Sequence, residues 1–363
     1  QDQKESSFFV IKLTLCFRLS TCWLRFYPVL DVALPNAYYR IKGMIMAGRK
    51  FDLDSELDAT HREVLNLFPK DFLTMEDIAG TRAAFTGPPA ELSDDVEVQD
   101  VMIKGLNNDP DLRVKIYRPR ELPKDSPALL WMHPGGMTLL SADSEDEANA
   151  ERALNHTCLV VSVDYRLAPE NPYPAAPDDC YAALLWLSES ASSLGVDPMR
   201  IVIGGASAGA GLAASTALRA RDESGPEILF QLLTYPMLDH RNNTPSSFGV
   251  MDEFRVWNRQ ANLISWNAYI GDLDEIPTYA SPSLENNLSD LPPAFISVGS
   301  LDNFVDECID YAQRLMQAGV PTDLRVYSGA FHGSVGMVAH SPISIEWTKA
   351  ESDALHRAFY PSK

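Results

Sequence analysis

The sequence predicts an α/β protein: a mostly parallel central sheet of about eight strands, flanked by helices and carrying a helical cap. Three observations predict it. Short Val-, Ile- and Leu-rich runs recur along the chain; they alternate with longer stretches of helical periodicity; and one stretch, between residues 236 and 282, breaks the alternation. Strands buried on both faces read as continuous apolar runs, and strand–helix alternation builds βαβ units with parallel strands. A chain of 363 residues, 45% of them hydrophobic, is long enough to bury one large core.

Residues 1–45 stand apart. They carry six Lys or Arg against three acidic residues, whereas the whole chain has a net charge of −20, and they hold Cys16 and Cys22. The apolar run 8–17 is interrupted by Lys12 and is too short to span a bilayer. This segment is expected to be an N-terminal extension outside the fold; the alternative is a membrane-proximal or export segment. Residues 46–92 are expected to form acidic helices over 54–67 and 74–86 that contribute to the cap. Pro88-Pro89 ends them, because proline cannot continue a helix.

Residues 93–363 are then expected to form the main α/β domain. Strands are expected at 96–103, 112–117, 128–132, 159–163, 200–203, 229–233, 294–298 and 324–327, stretches of strand length rich in Val, Ile and Leu. Helices are expected at 144–155, 178–193, 208–222, 304–318 and 344–359, where the apolar positions follow helical spacing. The insertion at about 237–285 lacks a strand signal. Its helical stretches carry Phe248, Phe254, Trp257, Trp266 and Tyr269, as a lid or cap over a sheet edge would. Those aromatics serve an acyl pocket or ordinary core packing equally well.

Composition excludes several functions. A net charge of −20 opposes nucleic-acid binding, which needs clustered Lys and Arg. It equally opposes docking on an anionic membrane, and no stable membrane insertion is expected. Five cysteines cannot form a fully paired framework, so a disulfide-dense secreted module is excluded. Cys158, Cys180 and Cys308 read as small buried hydrophobes, and a cytoplasmic location is expected. No His/Cys/Asp/Glu spacing fits a metal, and no phosphate loop appears. Neither a metal nor a cofactor is expected.

The chemistry concentrates in two motifs. Gly205-Ala206-Ser207-Ala208-Gly209 lies between a strand and a small-residue helix. A serine at the apex of such a turn is lifted clear of the sheet, and glycines two positions either side are needed because side chains there would clash. The same turn puts the Ala208 N–H at a helix N-terminus, where developing negative charge would sit. Upstream, His133-Pro134-Gly135-Gly136-Met137 directly follows the strand at 128–132. Gly135 and Gly136 can bring backbone amides close to a tetrahedral oxyanion, while Pro134 has no N–H to offer. Ser207 therefore reads as a nucleophile, with Gly135, Gly136 and Ala208 as its oxyanion donors.

A serine hydroxyl needs a base, and histidine is the side chain tuned for that near neutral pH. Of seven histidines, His332 stands in a glycine-bracketed loop past the strand at 324–327, at the sheet edge that also carries the serine. His340 is the fallback, and His133 reads as a brace of its own loop. Asp302 follows the strand at 294–298. Asp306 and Glu307 come next, but acids are common in a first helical turn simply because they complement the dipole.

These residues resemble the hormone-sensitive-lipase-like branch of the α/β-hydrolases. The likeness covers roughly residues 95–360 and includes Tyr165-Arg166-Leu167-Ala168-Pro169-Glu170, Pro172-Tyr173-Pro174-Ala175-Ala176 and Asp178-Asp179. Two departures stand out: Pro134 replaces the first glycine of the usual His-Gly-Gly-Gly, and Ala206 replaces an aspartate before the serine. The resemblance implies an α/β-hydrolase fold and assigns the orienting acid to Asp302 and the base to His332. It gives Asp178 and Asp179 a bracing role. It implies a serine carboxylesterase acting on short- to medium-chain esters through an acyl-enzyme, with a small-molecule ester as its partner and a homodimer as its assembly. The rivals are an amidase or lactonase on the same triad and a non-catalytic small-molecule receptor of the same fold. Retention of His332 counts against the receptor.

Overall fold

The sheet contains β1 (Val96–Ile103), β2 (Leu112–Pro119), β3 (Ser126–Met132), β4 (Leu159–Val163), β5 (Val196–Ala206), β6 (Phe230–Thr234), β7 (Ala294–Gly299) and β8 (Thr322–Tyr327). Their spatial order is β1-β2-β4-β3-β5-β6-β7-β8. β2 runs antiparallel to both β1 and β4, and every pair from β4 to β8 is parallel. The structure, a computed structural model, describes residues 56–65, 72–88, 90–249 and 256–361. The expected extension over 1–45, with Cys16 and Cys22, lies outside the described residues, as do residues 54–55 and 66–67 of the first expected helix, Pro89 and Phe254.

Among the described residues the helices are α1 (Arg62–Leu65), α2 (Ile78–Ala84), α3 (Asp146–His156), α4 (Ala175–Leu194), α5 (Ala208–Asp222), α6 (Pro245–Gly249), α7 (Arg259–Ile270), α8 (Val305–Gln317), α9 (Ser334–Met337) and α10 (Pro342–Phe359). α4 and α5 pack on each other and on β3 and β5, while α3 and α10 pack on each other; α5 and α10 both reach β6. All residues of β3, β4 and β7 are buried, which is why those strands are apolar without alternation. The edge strands β1 and β8 are largely open to solvent, with only Val96, Ile103 and Tyr327 buried.

Several bounds differ from the sequence expectation, each for a local reason. α4 begins three residues before the expected 178 and takes Pro177 into its first turn, where a missing N–H costs nothing. α10 likewise begins with Pro342, behind Ser341, whose hydroxyl accepts from Ser344 N. The expected helix 74–86 is shorter because Asp77 caps it, accepting from Gly80 N. The expected helix 54–67 is broken: Asp58 caps a single turn, Ala59–His61, ahead of α1, and Asp58 N donates to Gly329 O at 3.2 Å. A contact with a distant loop thus overrides local periodicity. Between β6 and β7 the described residues hold α6, α7 and the turn Pro282–Leu284, with no strand.

Candidate active site

The backbone is tightly packed at the turn from β5 into α5. Ser207 has φ 56° and ψ −119°, a left-handed conformation that costs a non-glycine residue on the order of 1–3 kcal/mol. The surroundings impose it. Ser207 N donates to Thr234 O at 2.9 Å, and Ser207 O accepts from Met237 N at 3.0 Å and Gly211 N at 3.1 Å. A Cβ at Gly205 would overlap the Gly209 backbone, and one at Gly209 would overlap the Met132 and His133 carbonyls. The two glycines are therefore what lets the end of β3 lie against the serine turn.

The loops after β7 and β8 bring the other two side chains to this point. Ser300 N donates to Tyr327 O at 2.8 Å and Leu301 N to Ala330 O at 3.0 Å, while Gly329 N donates to Ser300 Oγ at 2.9 Å. Laced together in this way, the loops set Asp302 against His332. His332 Nδ1 lies 2.8 Å from Asp302 Oδ2, and His332 Nε2 lies 2.9 Å from Ser207 Oγ. A carboxylate oxygen only accepts, so Nδ1 carries the proton and Nε2 faces the hydroxyl with its lone pair. Asp302 is fully buried, and its Oδ1 accepts from Phe304 N at 2.9 Å. The structure thus brings Ser207, His332 and Asp302 into one hydrogen-bonded series, and leaves His340 exposed. Asp306 and Glu307 are engaged elsewhere. Asp306 accepts from Ser246 N at 2.7 Å. Glu307 accepts from Leu238 N at 2.7 Å, and burial pushes its carboxyl well above the usual range.

Gly135 and Gly136 have φ of 119° and 63°, a region open to glycine. Among the described residues no acceptor takes a hydrogen bond from the N–H of Gly135, Gly136 or Ala208. His133 braces this loop: its ring stacks on Tyr165 with centroids 4.1 Å apart, its Nδ1 donates to Pro134 O at 2.7 Å, and Tyr165 Oη donates to His133 O at 2.7 Å. Burial pulls the imidazole down to about 4 from an ordinary 6.5. The unfolded chain therefore takes up a proton that the folded one refuses, so this part of stability is complete above pH 6.5 and lost as the pH falls towards 4. His133→Asn is expected to flatten the drop in melting temperature between pH 7 and pH 4.5. An unchanged drop would show that His133 does not carry it.

Sequence reasoning did not place four neighbours of the site. Trp257 covers the glycine loop so closely that a Cβ on Gly136 would overlap its ring, and it lies 6.1 Å from the His332 ring. Tyr235 and Phe304 meet that imidazole edge-on at 4.7 and 4.9 Å. Arg82 bonds to Thr138 O at 2.8 Å, in the same loop as the two glycines. Only the aromatic content of the insertion hinted at any of these. Asp179, buried, pairs with Arg166 at 2.8 Å and ties α4 to the loop after β4, whereas Asp178 pairs with Arg219 at 2.6 Å and ties α4 to α5, so the expected bracing of loops holds for Asp179 and not for Asp178. Trp266 and Tyr269 are each about 1% exposed and belong to the core. A separate cavity of about 1160 Å³, lined by Trp131, Glu145, Arg152, Tyr235 and Glu351, borders none of Ser207, Asp302 or His332.

Comparison with known proteins agrees with this architecture. The family profile described as the alpha/beta hydrolase fold matches residues 129–336. The carboxylesterase NlhH of Mycobacterium tuberculosis is 34% identical over 317 residues, covering 84% of this chain and 97% of that protein. The arylesterase of Saccharolobus solfataricus is 32% identical over 257 residues, 66% of this chain and 78% of that protein. Among solved structures, a bacterial heroin esterase superposes with a TM-score of 0.79 at 37% identity, covering 84% of this chain and 98% of that one. The chain belongs to the α/β-hydrolase fold family, in its hormone-sensitive-lipase-like esterase branch.

Proposed function

We propose that this protein is a serine carboxylesterase that cleaves small carboxylic esters through an acyl-enzyme. The observation that carries the reading is the Ser207–His332–Asp302 series, with spacings of 2.9 and 2.8 Å, at a strained turn beside three unengaged amides. Ser207 Oγ attacks the ester carbonyl as His332 Nε2 takes its proton. Asp302 holds the ring and stabilises the imidazolium. Gly135, Gly136 and Ala208 donate to the oxyanion, where a single donor is worth about 3–4 kcal/mol. The imidazolium then protonates the leaving alkoxide. His332 next draws a proton from water, whose hydroxide attacks the acyl carbon; the C–Oγ bond breaks, the acid leaves, and His332 returns that proton to Ser207 Oγ.

The insertion at 237–285 and the N-terminal residues 46–92 act as the cap. Trp257, from the first, lies 6.1 Å from Phe72, from the second, and the Trp257 ring walls the glycine loop. That wall favours short to medium acyl chains. Trp257→Ala is expected to move the preferred acyl length upward by about two carbons or more, since each added methylene in an apolar pocket is worth about 1–3 kcal/mol. A p-nitrophenyl ester series of graded length measures this, and an unmoved optimum would acquit Trp257. The same series, run beside a matched p-nitroanilide, tests the function itself. Ester turnover with little amide turnover is expected, and dominant amide cleavage would make the protein an amidase.

Action in the cytoplasm and assembly as a homodimer are part of the proposal. Cys158, Cys180 and Cys308 are buried free thiols, which suits a reducing compartment. No helix among the described residues is long and apolar enough to cross a membrane. The free edge of β8, where Val326 is 44% exposed, offers a surface for pairing.

A further inference from the structure

We infer that Arg82 is a positioning residue for the oxyanion turn, so that docking of the N-terminal helix α2 aims the amides of Gly135 and Gly136. The inference rests on the esterase reading above. Arg82 Nε donates to Thr138 O at 2.8 Å, and Nη2 donates to Ala168 O at 2.9 Å. Nη1 and Nη2 reach Glu170 at 2.9 and 2.8 Å. One planar guanidinium therefore ties α2 to two loops, 135–140 and 167–170, which are themselves joined by Ala168 N to Met137 O at 2.8 Å.

The turn needs such support. Besides the two glycines, Met137 and Leu140 have φ of 58° and 68°, and non-glycine residues persist there only when their surroundings over-determine them. Thr138 is fully buried and Ala168 is 1% exposed. Among the described residues no other group donates to either carbonyl, so losing Arg82 leaves two buried acceptors unpaired. Thr138 N and Leu139 N both donate to Gly135 O, at 3.1 and 2.9 Å. A shift of Thr138 is thereby passed to the peptide unit that presents the Gly136 N–H. The ion pair with Glu170 is the lesser part: the side chains are 27% and 52% exposed, and exposed pairs contribute little. Lysine cannot replace the fork, because its three donors radiate from one nitrogen and do not lie in a plane.

Substrate walls act in the ground state, whereas oxyanion donors act in the transition state. Arg82→Ala is therefore expected to lower kcat about 10- to 30-fold, a fraction of the loss from deleting a donor outright, with KM within about twofold. A trifluoromethyl ketone should lose affinity by the same factor as kcat/KM. Arg82→Lys should fall between the parent and Arg82→Ala, and Glu170→Gln within about threefold of the parent. Hydrogen exchange supplies a readout independent of turnover: amides of the 133–140 peptide should exchange about tenfold faster in Arg82→Ala and to a lesser degree in Arg82→Lys, with α5 unchanged. Unaltered exchange at 133–140, or a KM rise as large as the kcat loss, would overturn the inference. So would Glu170→Gln matching Arg82→Ala. If the parent turned over no ester yet the exchange pattern appeared, the positioning role would stand and the esterase reading would fall.

Discussion

Ser207→Ala is expected to lower kcat by at least about 10⁴-fold, with the melting temperature held within a few degrees. The magnitude follows from the nucleophile's role: the acyl bond forms at Oγ, and what survives its removal is the catalysis due to oxyanion donors and substrate binding alone. Stability should hold because the strain of φ 56° is the same for alanine as for serine, and the hydroxyl's partner, His332 Nε2, still has Asp302 on its other nitrogen. Stopped-flow turnover of p-nitrophenyl acetate should show a burst in the parent and none in the variant. A variant that kept the burst would place the nucleophile elsewhere.

Asp302→Asn is expected to cost about 10³- to 10⁴-fold in kcat with little change in fold, the size of effect seen when such an imidazole is held in the wrong tautomer. The direction comes from the second hydrogen bond. Phe304 N donates to Asp302 Oδ1, so an asparagine here must turn its oxygen to Phe304 and its NH₂ to His332. That amide donates to Nδ1, moves the imidazole proton to Nε2 and leaves no lone pair for the Ser207 hydroxyl. Nitrogen-15 NMR of the His332 ring should report the switched tautomer alongside the loss of rate. A loss smaller than about tenfold would contradict this assignment of the acid.

The parts legible in the sequence were those fixed by short-range sterics. A Gly-x-Ser-x-Gly between a strand and a helix leaves little freedom, and the structure shows why: side chains at Gly205 or Gly209 would collide with neighbouring backbone. The apolar runs marked the strands because both faces of β3, β4 and β7 are covered. Contacts between residues far apart in the chain stayed hidden. Arg82 and Glu170 are 88 positions apart, and nothing in the periodicity of α2 singles Arg82 out among other basic residues. The break in the expected helix 54–67 has the same origin, since Asp58 meets Gly329. Trp257 was visible as an aromatic residue, but its seat over Gly136 depends on how the insertion folds back. Asp302, Asp306 and Glu307 were hard to rank by spacing alone. Only their partners separate them: an imidazole for the first, backbone amides between the β6 and β7 ends and α8 for the other two.

The proposed chemistry turns on one covalent bond. Incubation with a fluorophosphonate, followed by digestion and tandem mass spectrometry, should place a single adduct on Ser207. Labelling should disappear in Ser207→Ala and slow sharply in His332→Ala, which lacks the base. An adduct on another serine, or undiminished labelling of the Ser207→Ala protein, would contradict the account.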